Sequence, residues 1–474
     1  MTETDTSLSR RHFLWQAGGL GGVALAWLLH RDGRCEPPVA DAAGSPHFPQ
    51  RAKRVVLIFC PGGVSHVDTF DYKPALAKYD STPLPGNRKI DTFFGQPGNL
   101  AKSPFAFKQF GDSGRWVSEL FPHFARRADD VTFIHSMQAK SSNHTPAGFQ
   151  ALTGFTMNGF PCMGSWISYG LGSETQELPA FVVLPDPRGL PAGGSINWTN
   201  GFLPATYQGV AFRGTGDPVP DLSTPADVSP SRRAAGMDVL AQINREFLDA
   251  NPGDSTLAAR IRSYELAAKM QTAIPQVTDI SRETEATRRL YGMDEKVTAG
   301  FGSNCLLARR LLERGVRFVQ LFNGGAFGSP RINWDAHEDI VENHRTQAAV
   351  FDRPVAGLLA DLKQRGMLKD TLVLGVTEFG RTPITQGIGA KGRDHHPLAF
   401  TVWMAGGGSK AGYAHGKTDE FGYDVAERPT SLYDFHATVL HLLGLDHKRL
   451  TYYHNGIRRR LTDVHGEVVP ELLA

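Results

Sequence analysis

The chain has 474 residues, of which 41% are hydrophobic, and its 50 basic and 48 acidic residues leave a net charge of +2. That length suffices for a large core, as one big α/β domain or two ordinary ones, and near-neutrality gives no reason to expect a nucleic-acid partner or an anionic membrane surface. The four cysteines are widely spaced, with no Cys-x-x-Cys pair, which argues against a disulfide framework; Cys60, Cys162 and Cys305 read as small buried residues.

Residues 1–42 read as an export signal. Ser9-Arg10-Arg11-His12-Phe13-Leu14 is a twin-arginine motif, followed by a weakly apolar run from Ala17 to Leu29 and a small-x-small site at Ala40-Asp41-Ala42. The apolar run is well short of the roughly 20 residues that a spanning helix needs, so no stable membrane span is expected. The expected partner is the twin-arginine export machinery and the expected destination the periplasm or the cell exterior. Cleavage after Ala42 removes four arginines and five acids, which moves the net charge to +3.

Residues 43–53 read as a Pro/Gly/His linker, and 54–474 as one domain. The run Arg54 to Cys60, RVVLIFC, is predicted to be the first strand, broken by Pro61-Gly62-Gly63 and followed by a loop carrying Ser65, His66, Asp68 and Asp71. A helix is expected from about Glu119 to Asp129 and a strand from Val131 to Ser136. In KSSNHTPAGFQALTG a loop turns into an amphipathic helix ending at Gly154. Residues 185–235, rich in Pro and Gly, read as long surface loops.

Helical periodicity resumes at Ser255–Gln271, Glu283–Leu290 and Ser303–Arg314, and the last of these feeds a strand, Val316–Phe322, as in a βαβ unit. That strand empties into FNGGAFGSPRINWDAHED, with Asp335 and His337. A long helix, about Arg345–Arg365, then leads to an apolar run, Leu372–Val376, of the kind found in buried parallel strands. Straight after it come Glu378 and Arg381, then a Gly-rich loop delivering Asp394, His395 and His396. A further strand at Ala399–Met404, a helix at Leu432–Leu443 and a terminal hairpin complete the chain.

Three strands thus end in loops that pair acids with imidazoles, at the end where open α/β sheets bind ligands. Any one of them is explicable as ordinary loop hydrogen bonding. Three together are costly to bury unless a metal or strong partners hold them.

The segments GGVSHVDTFD, WDAHED, EFGRTP and GRDHHP resemble the family called domain of unknown function 1501, within the alkaline phosphatase and sulfatase superfamily. The resemblance implies a three-layer α/β fold with a mostly parallel central sheet and helices on both faces. It implies one or two divalent ions held by His66, Asp68, Asp335, His337, Glu378, Asp394 and His395, and the imidazole count favours zinc or manganese over calcium. The implied activity is hydrolysis of a phosphate or sulfate ester, on an anionic small molecule or a polysaccharide, with Arg381 or Arg393 holding an anionic oxygen. The alternative is a non-catalytic exported protein that binds metal or carbohydrate.

One departure bears on that choice. Sulfatases place their nucleophile at the start of a Cys-x-Pro-Ser-Arg motif that ends in Thr-Gly six residues later; here His144-Thr145-Pro146-Ala147-Gly148 leads to Thr153-Gly154 at the same spacing. His144 therefore stands in the nucleophile position, where an imidazole serves as ligand or proton donor. Attack is left to a bound water, to Thr145 or to Ser142, or there is no hydrolysis at all.

Overall fold

Successive residues of the first strand, β1 (Arg54–Phe59), point to opposite faces of the sheet. Val56 and Ile58 belong to one apolar core, Val55, Leu57 and Phe59 to another. Both faces are therefore covered. A computed structural model describes residues 45–474 apart from 87–89, 91, 94, 214–227, 252–254 and 328–330. The expected export signal, with Arg10, Arg11 and the Ala40–Ala42 site, lies outside the described residues.

The strands of the central sheet and of the hairpin beside it are, after β1, β2 (Val131–Gln138), β3 (Phe181–Leu184), β4 (Val210–Ala211), β5 (Phe318–Phe322), β6 (Thr371–Val376), β7 (Gly380–Thr385), β8 (Arg393–His396), β9 (Phe400–Ala405), β10 (Ala414–His415) and β11 (Thr430–Ser431). Nine of them form the central sheet, in the order β10-β2-β9-β6-β1-β5-β3-β4, with β11 also paired to β2. β1 runs parallel to both β5 and β6, with Val55 level with Phe318 and with Leu372. Only β9 is reversed, lying antiparallel to β2 and β6. β7 and β8 stand apart as an antiparallel hairpin.

The helices that position the sheet and the site are α1 (His66–Thr69), α2 (His144–Thr153), α3 (Met163–Leu171), α4 (Pro230–Ala250), α5 (Ser255–Thr278), α6 (Ala299–Glu313), α7 (Ile340–Gln364) and α8 (Leu432–Leu442). On one face α6 and α7 bring Leu306, Leu311, Val355 and Leu359 against Val56 and Leu321. On the other, α2, α3 and α8 bring Leu152, Ile167, Phe435 and Val439 against Leu57 and Phe322. Each such side chain contributes on the order of 1.5–3 kcal/mol when fully buried. The result is the expected three-layer α/β fold with a mostly parallel sheet.

Several local features differ from the sequence expectation. Where a helix was expected over 119–129 there is a 3-10 helix, Phe124–Asp130, its start fixed by Asp352, which accepts from the backbone N–H of His123 (2.9 Å) and Phe124 (2.7 Å). Residues 47–52 lie against the end of α8, with the N–H of His47 donating to Gly444 and those of Arg51 and Ala52 to Leu442. Helix α4 begins inside the stretch read as surface loops. Its start carries a signal: Ser229 caps it by accepting from Arg232 N (3.3 Å), and Pro230 follows. Among the described residues no helix is long and apolar enough to cross a membrane.

Two buried histidines predict how the fold responds to acid. Burial pushes the pKa of His344 down to about 3 and that of His436 down to about 4. Both values lie below the unfolded value of about 6.5, so on acidification the unfolded chain takes up these protons first. Their contribution is full above about pH 6.5 and is lost as pH falls toward 4, at about 1.4 kcal/mol per pH unit for each proton. The melting temperature of the chelated protein, followed from pH 7.5 to 4.5, should therefore fall steadily below pH 6.5. A flat profile would show that neither ring is held neutral.

Candidate metal centre at the carboxyl ends of the strands

Because β1, β5 and β6 are parallel, the loops that leave them gather at one rim of the sheet. The loop after β5 supplies Asp335 and His337, the β7–β8 hairpin supplies His395, and the N-terminus of α2, just beyond the end of β2, supplies His144. Asn143 caps α2 by accepting from Thr145 N at 3.3 Å. One donor atom from each of His144, Asp335, His337 and His395 lies within 4.8 Å of the other three.

The tautomers follow from the outer partners. His395 Nδ1 faces the carbonyl oxygen of Ser142 at 2.6 Å, so it must carry its proton. His144 Nδ1 lies 2.6 Å from the Glu378 carboxylate, and His337 Nδ1 lies 2.7 Å from Gln386 Oε1. All three Nε2 lone pairs therefore point inward, onto Asp335 Oδ1, which is 2.8 Å from His337, 3.3 Å from His144 and 3.6 Å from His395. His337 Nε2 and His395 Nε2 are only 2.8 Å apart. Two lone pairs at that separation repel unless a proton or a cation lies between them, and His144 Nε2 is buried without a well-formed hydrogen bond.

Asp335 is held far below the usual carboxylate range: burial opposes its charge, but contacts with His144, His337, His395 and Arg381 outweigh it. Burial pushes His395 down to about 2, against the pull of Asp335. His144 moves up, because Asp335 and Glu378 together overcome its burial. Three imidazoles and one carboxylate make a four-donor set suited to zinc and to other borderline divalent ions, and each imidazole has the outer hydrogen bond that orients a metal-binding histidine. The residues present fit such an ion.

The other residues singled out from the sequence lie around this group. Glu378 sits one step behind it: Oε1 accepts from Gly62 N (2.8 Å) as well as facing His144, and Oε2 accepts from Thr377 Oγ1 (3.2 Å). Arg381 is fully buried, and its donors go to Gly63 O (3.0 Å), Gly62 O, Arg393 O (3.1 Å) and Asp335 Oδ1 (2.6 Å), with Nη1 also 3.4 Å from His337 Nε2. Arg393 pairs with Asp68 (2.7 Å), which also accepts from Ser65 Oγ (2.5 Å). His66 Nε2 donates to Gly422 O (2.8 Å). Asp394 accepts from Phe93 N (2.7 Å) and from His395 N (2.8 Å). The structure thus brings His144, Asp335, His337 and His395 together, sets Glu378 and Arg381 behind them, and engages His66, Asp68 and Asp394 elsewhere.

Some contributors carried no signal in the sequence. Gln386 and the Ser142 carbonyl orient two imidazoles, and Arg331 reaches Asp335 as well as Glu338 (2.8 Å). Phe327 stacks on His144 at 4.1 Å between ring centroids, and Phe93 lies 4.6 Å from His395. Gly62 is a different matter, since glycines after a strand are visible in sequence. Its φ is +114°, and a Cβ there would lie 2.4 Å from Asp335 N, so only glycine lets the first loop pass beneath the ligand loop.

These features define an α/β protein with a candidate divalent-metal centre at the carboxyl rim of its sheet. Residues 52–473 match the family described as Protein of unknown function (DUF1501), and the chain belongs to that family. No curated protein sequence matches it. Solved structures similar to it include the PsFucS1 sulfatase from Pseudoalteromonas sp., at 12% identity and a TM-score of 0.36, over 84% of this chain and 68% of that one. They also include the lipoteichoic acid synthase LtaP from Listeria monocytogenes, at 11% identity and a TM-score of 0.33, over 86% and 78% of the two chains. Alkaline phosphatase from the Antarctic bacterium TAB5 is similar at 10% identity and a TM-score of 0.30, over 77% and 95%.

Proposed function

We propose that the protein is an exported hydrolase that uses a divalent ion, zinc or manganese, to cleave a phosphate or sulfate ester on a small anionic molecule or a polysaccharide. The observation that carries this reading is the convergence of three Nε2 lone pairs on Asp335 Oδ1, each ring fixed from behind. His144, Asp335, His337 and His395 would hold one ion. Bound there, a divalent cation supplies Lewis-acid polarisation of the ester and activates water at neutral pH. Glu378 keeps His144 in its inward tautomer, and Arg381 is a positioning residue that ties Gly62, Gly63 and Asp335 together. Phe93 and Phe327 flank the imidazoles and limit water access to the centre.

A second reading has its own support. With His144 at the start of α2, where sulfatases carry a nucleophile, and engaged with Glu378, a non-catalytic protein that binds metal or carbohydrate is the alternative. A panel of phosphate and sulfate esters, assayed with zinc or manganese present, separates the two. On the hydrolase reading the wild type turns over at least one ester, and His144→Ala loses activity by about a hundredfold or more, the scale of losing one positioned catalytic group. His144→Ser restores a hydroxyl at a helix N-terminus and on the binding reading gains weak phosphatase activity over an inert wild type. Turnover undiminished in His144→Ala would place the chemistry elsewhere.

The export assignment is tested separately. Replacing Arg10 and Arg11 by Lys keeps the charge but removes the address that the twin-arginine receptor reads. The precursor should then stay in the cytoplasm, and normal export of the double variant would remove the assignment.

A further inference from the structure

At the opposite end of the sheet from the metal centre, a cleft of about 400 Å³ is lined by His123, Arg126, Arg127, Arg289 and Arg353. It opens between the 3-10 helix that precedes β2, the middle of α7 and the short helix Glu285–Leu290. β2 begins at Val131, and its far end leads toward His144. None of the residues lining the cleft belongs to the metal centre. The cleft is therefore not an extension of the metal centre.

Four guanidiniums and an imidazole line this wall, and no carboxylate is among the lining residues. Acids do lie nearby, among them buried Asp352, whose carboxylate interacts with His123 and Arg126. Arg127 reaches Asp130 at 3.8 Å, Arg289 pairs with Glu285, and Arg353 pairs with Asp294 (3.1 Å) and Glu295. Arg353 also donates to the carbonyl of Arg289, which makes it a fixed strut. Arg126, by contrast, is exposed and makes no side-chain hydrogen bond or ion pair among the described residues. Pairs as exposed as Arg289–Glu285 are worth only about 0–1 kcal/mol, so an incoming oxyanion can compete for those donors. The backbone N–H groups of His123 and Phe124 are already spent on Asp352, which leaves recognition to the side chains.

The floor is different in character. Leu290, Ala356, Gly357 and Ala360 present a small, apolar surface beneath the arginines. The volume lies within the roughly 300–1,000 Å³ of small-molecule sites and exceeds what one bare tetrahedral ion fills. Planar guanidinium forks match sulfate and phosphate oxygens bidentately. A ligand suited to both parts carries an oxyanion on a larger ring.

We propose that this cleft is a second binding site, distal to the metal centre, for a sulfated or phosphorylated saccharide unit, with Arg126, Arg127 and Arg289 gripping the oxyanion and the Leu290–Ala356–Gly357–Ala360 floor receiving the sugar face. Such a site would hold an anionic polysaccharide on the protein whether or not the metal centre turns it over, so it does not depend on the hydrolase reading.

The test uses calorimetric titration of the mature, metal-loaded protein at low ionic strength, with four probes: a sulfated disaccharide, a phosphorylated monosaccharide, inorganic sulfate and inorganic phosphate. The expected result is saturable one-to-one binding of a sugar-borne oxyanion at least about tenfold tighter than either inorganic ion, weakening as salt is raised. Arg126→Glu and Arg289→Glu should each weaken it by about tenfold or more without changing metal content or melting temperature, and His144→Ala should bind as the wild type does. Failure of both saccharides to bind saturably would overturn the proposal, as would saccharide binding that survives both arginine variants or is lost in His144→Ala. Equal affinity for the inorganic ions would overturn the saccharide assignment in favour of a free-anion site.

Discussion

Chelation of the mature protein is expected to release about one divalent ion per chain and to lower its melting temperature substantially, with full recovery on adding zinc or manganese. An ion that binds only the native state stabilises it by mass action, by about 4 kcal/mol at a free concentration a thousandfold above its dissociation constant. For a chain of this size that corresponds to a shift on the order of 4–5 °C. Calcium and magnesium should not rescue the chelated protein, because three of the four donors are imidazoles and those ions prefer oxygen. The stabilisation has a local cause: without a cation, His337 Nε2 and His395 Nε2 face each other at 2.8 Å beside a third inward lone pair. A protein that carries no stoichiometric metal and whose melting ignores chelator would remove the metal centre and, with it, the hydrolase reading.

The parts of this site that could be read from sequence are those set by strand ends. Fully buried parallel strands appear as unbroken apolar runs, so the ends of β1, β5 and β6, and the acids and imidazoles just beyond them, were legible. The division of labour among those residues was not. Asp394 and His395 are adjacent, and neighbours on a strand point to opposite faces, so only one of them can meet His337. Which one does so depends on the β7–β8 register that sets His395 opposite Arg381. A Gly-rich stretch that looked like a loop conceals that register. The fate of the first loop was hidden for a similar reason: Asp68 and Arg393 are 325 residues apart, and nothing local announces that they pair. Helix α4 was missed because it starts inside a Pro- and Gly-rich stretch; its large apolar residues Val239, Leu240, Ile243 and Phe247 are exposed, so no burial against the core marks it.

The comparison between Asp335 and Asp68 yields the sharpest expected contrast. Both carboxylates are buried and, against the burial that opposes their charge, both are held below the usual range, Asp335 by its histidine neighbours and then by buried Arg381, Asp68 by buried Arg393. In each pair, replacing the carboxylate by an amide leaves a guanidinium in the interior without its counter-charge. Breaking a buried pair from one side costs about 3–5 kcal/mol, so Asp335→Asn and Asp68→Asn should lower stability by similar amounts in denaturant titrations of the chelated proteins.

Metal content should separate them. Asp335 Oδ1 is the atom on which the three imidazoles converge, so Asp335→Asn should lose bound metal along with any hydrolytic activity. Asp68 is spent on Arg393 and Ser65, so Asp68→Asn, folded at low temperature, should keep about one ion per chain. Because the chelated proteins start from equal losses, adding zinc should stabilise Asp68→Asn as it does the wild type and leave Asp335→Asn unchanged. If Asp68→Asn instead loses its metal while remaining folded, the first loop belongs to the ligand set, and the centre is built from His66 and Asp68 as well as from the four residues that converge on Asp335.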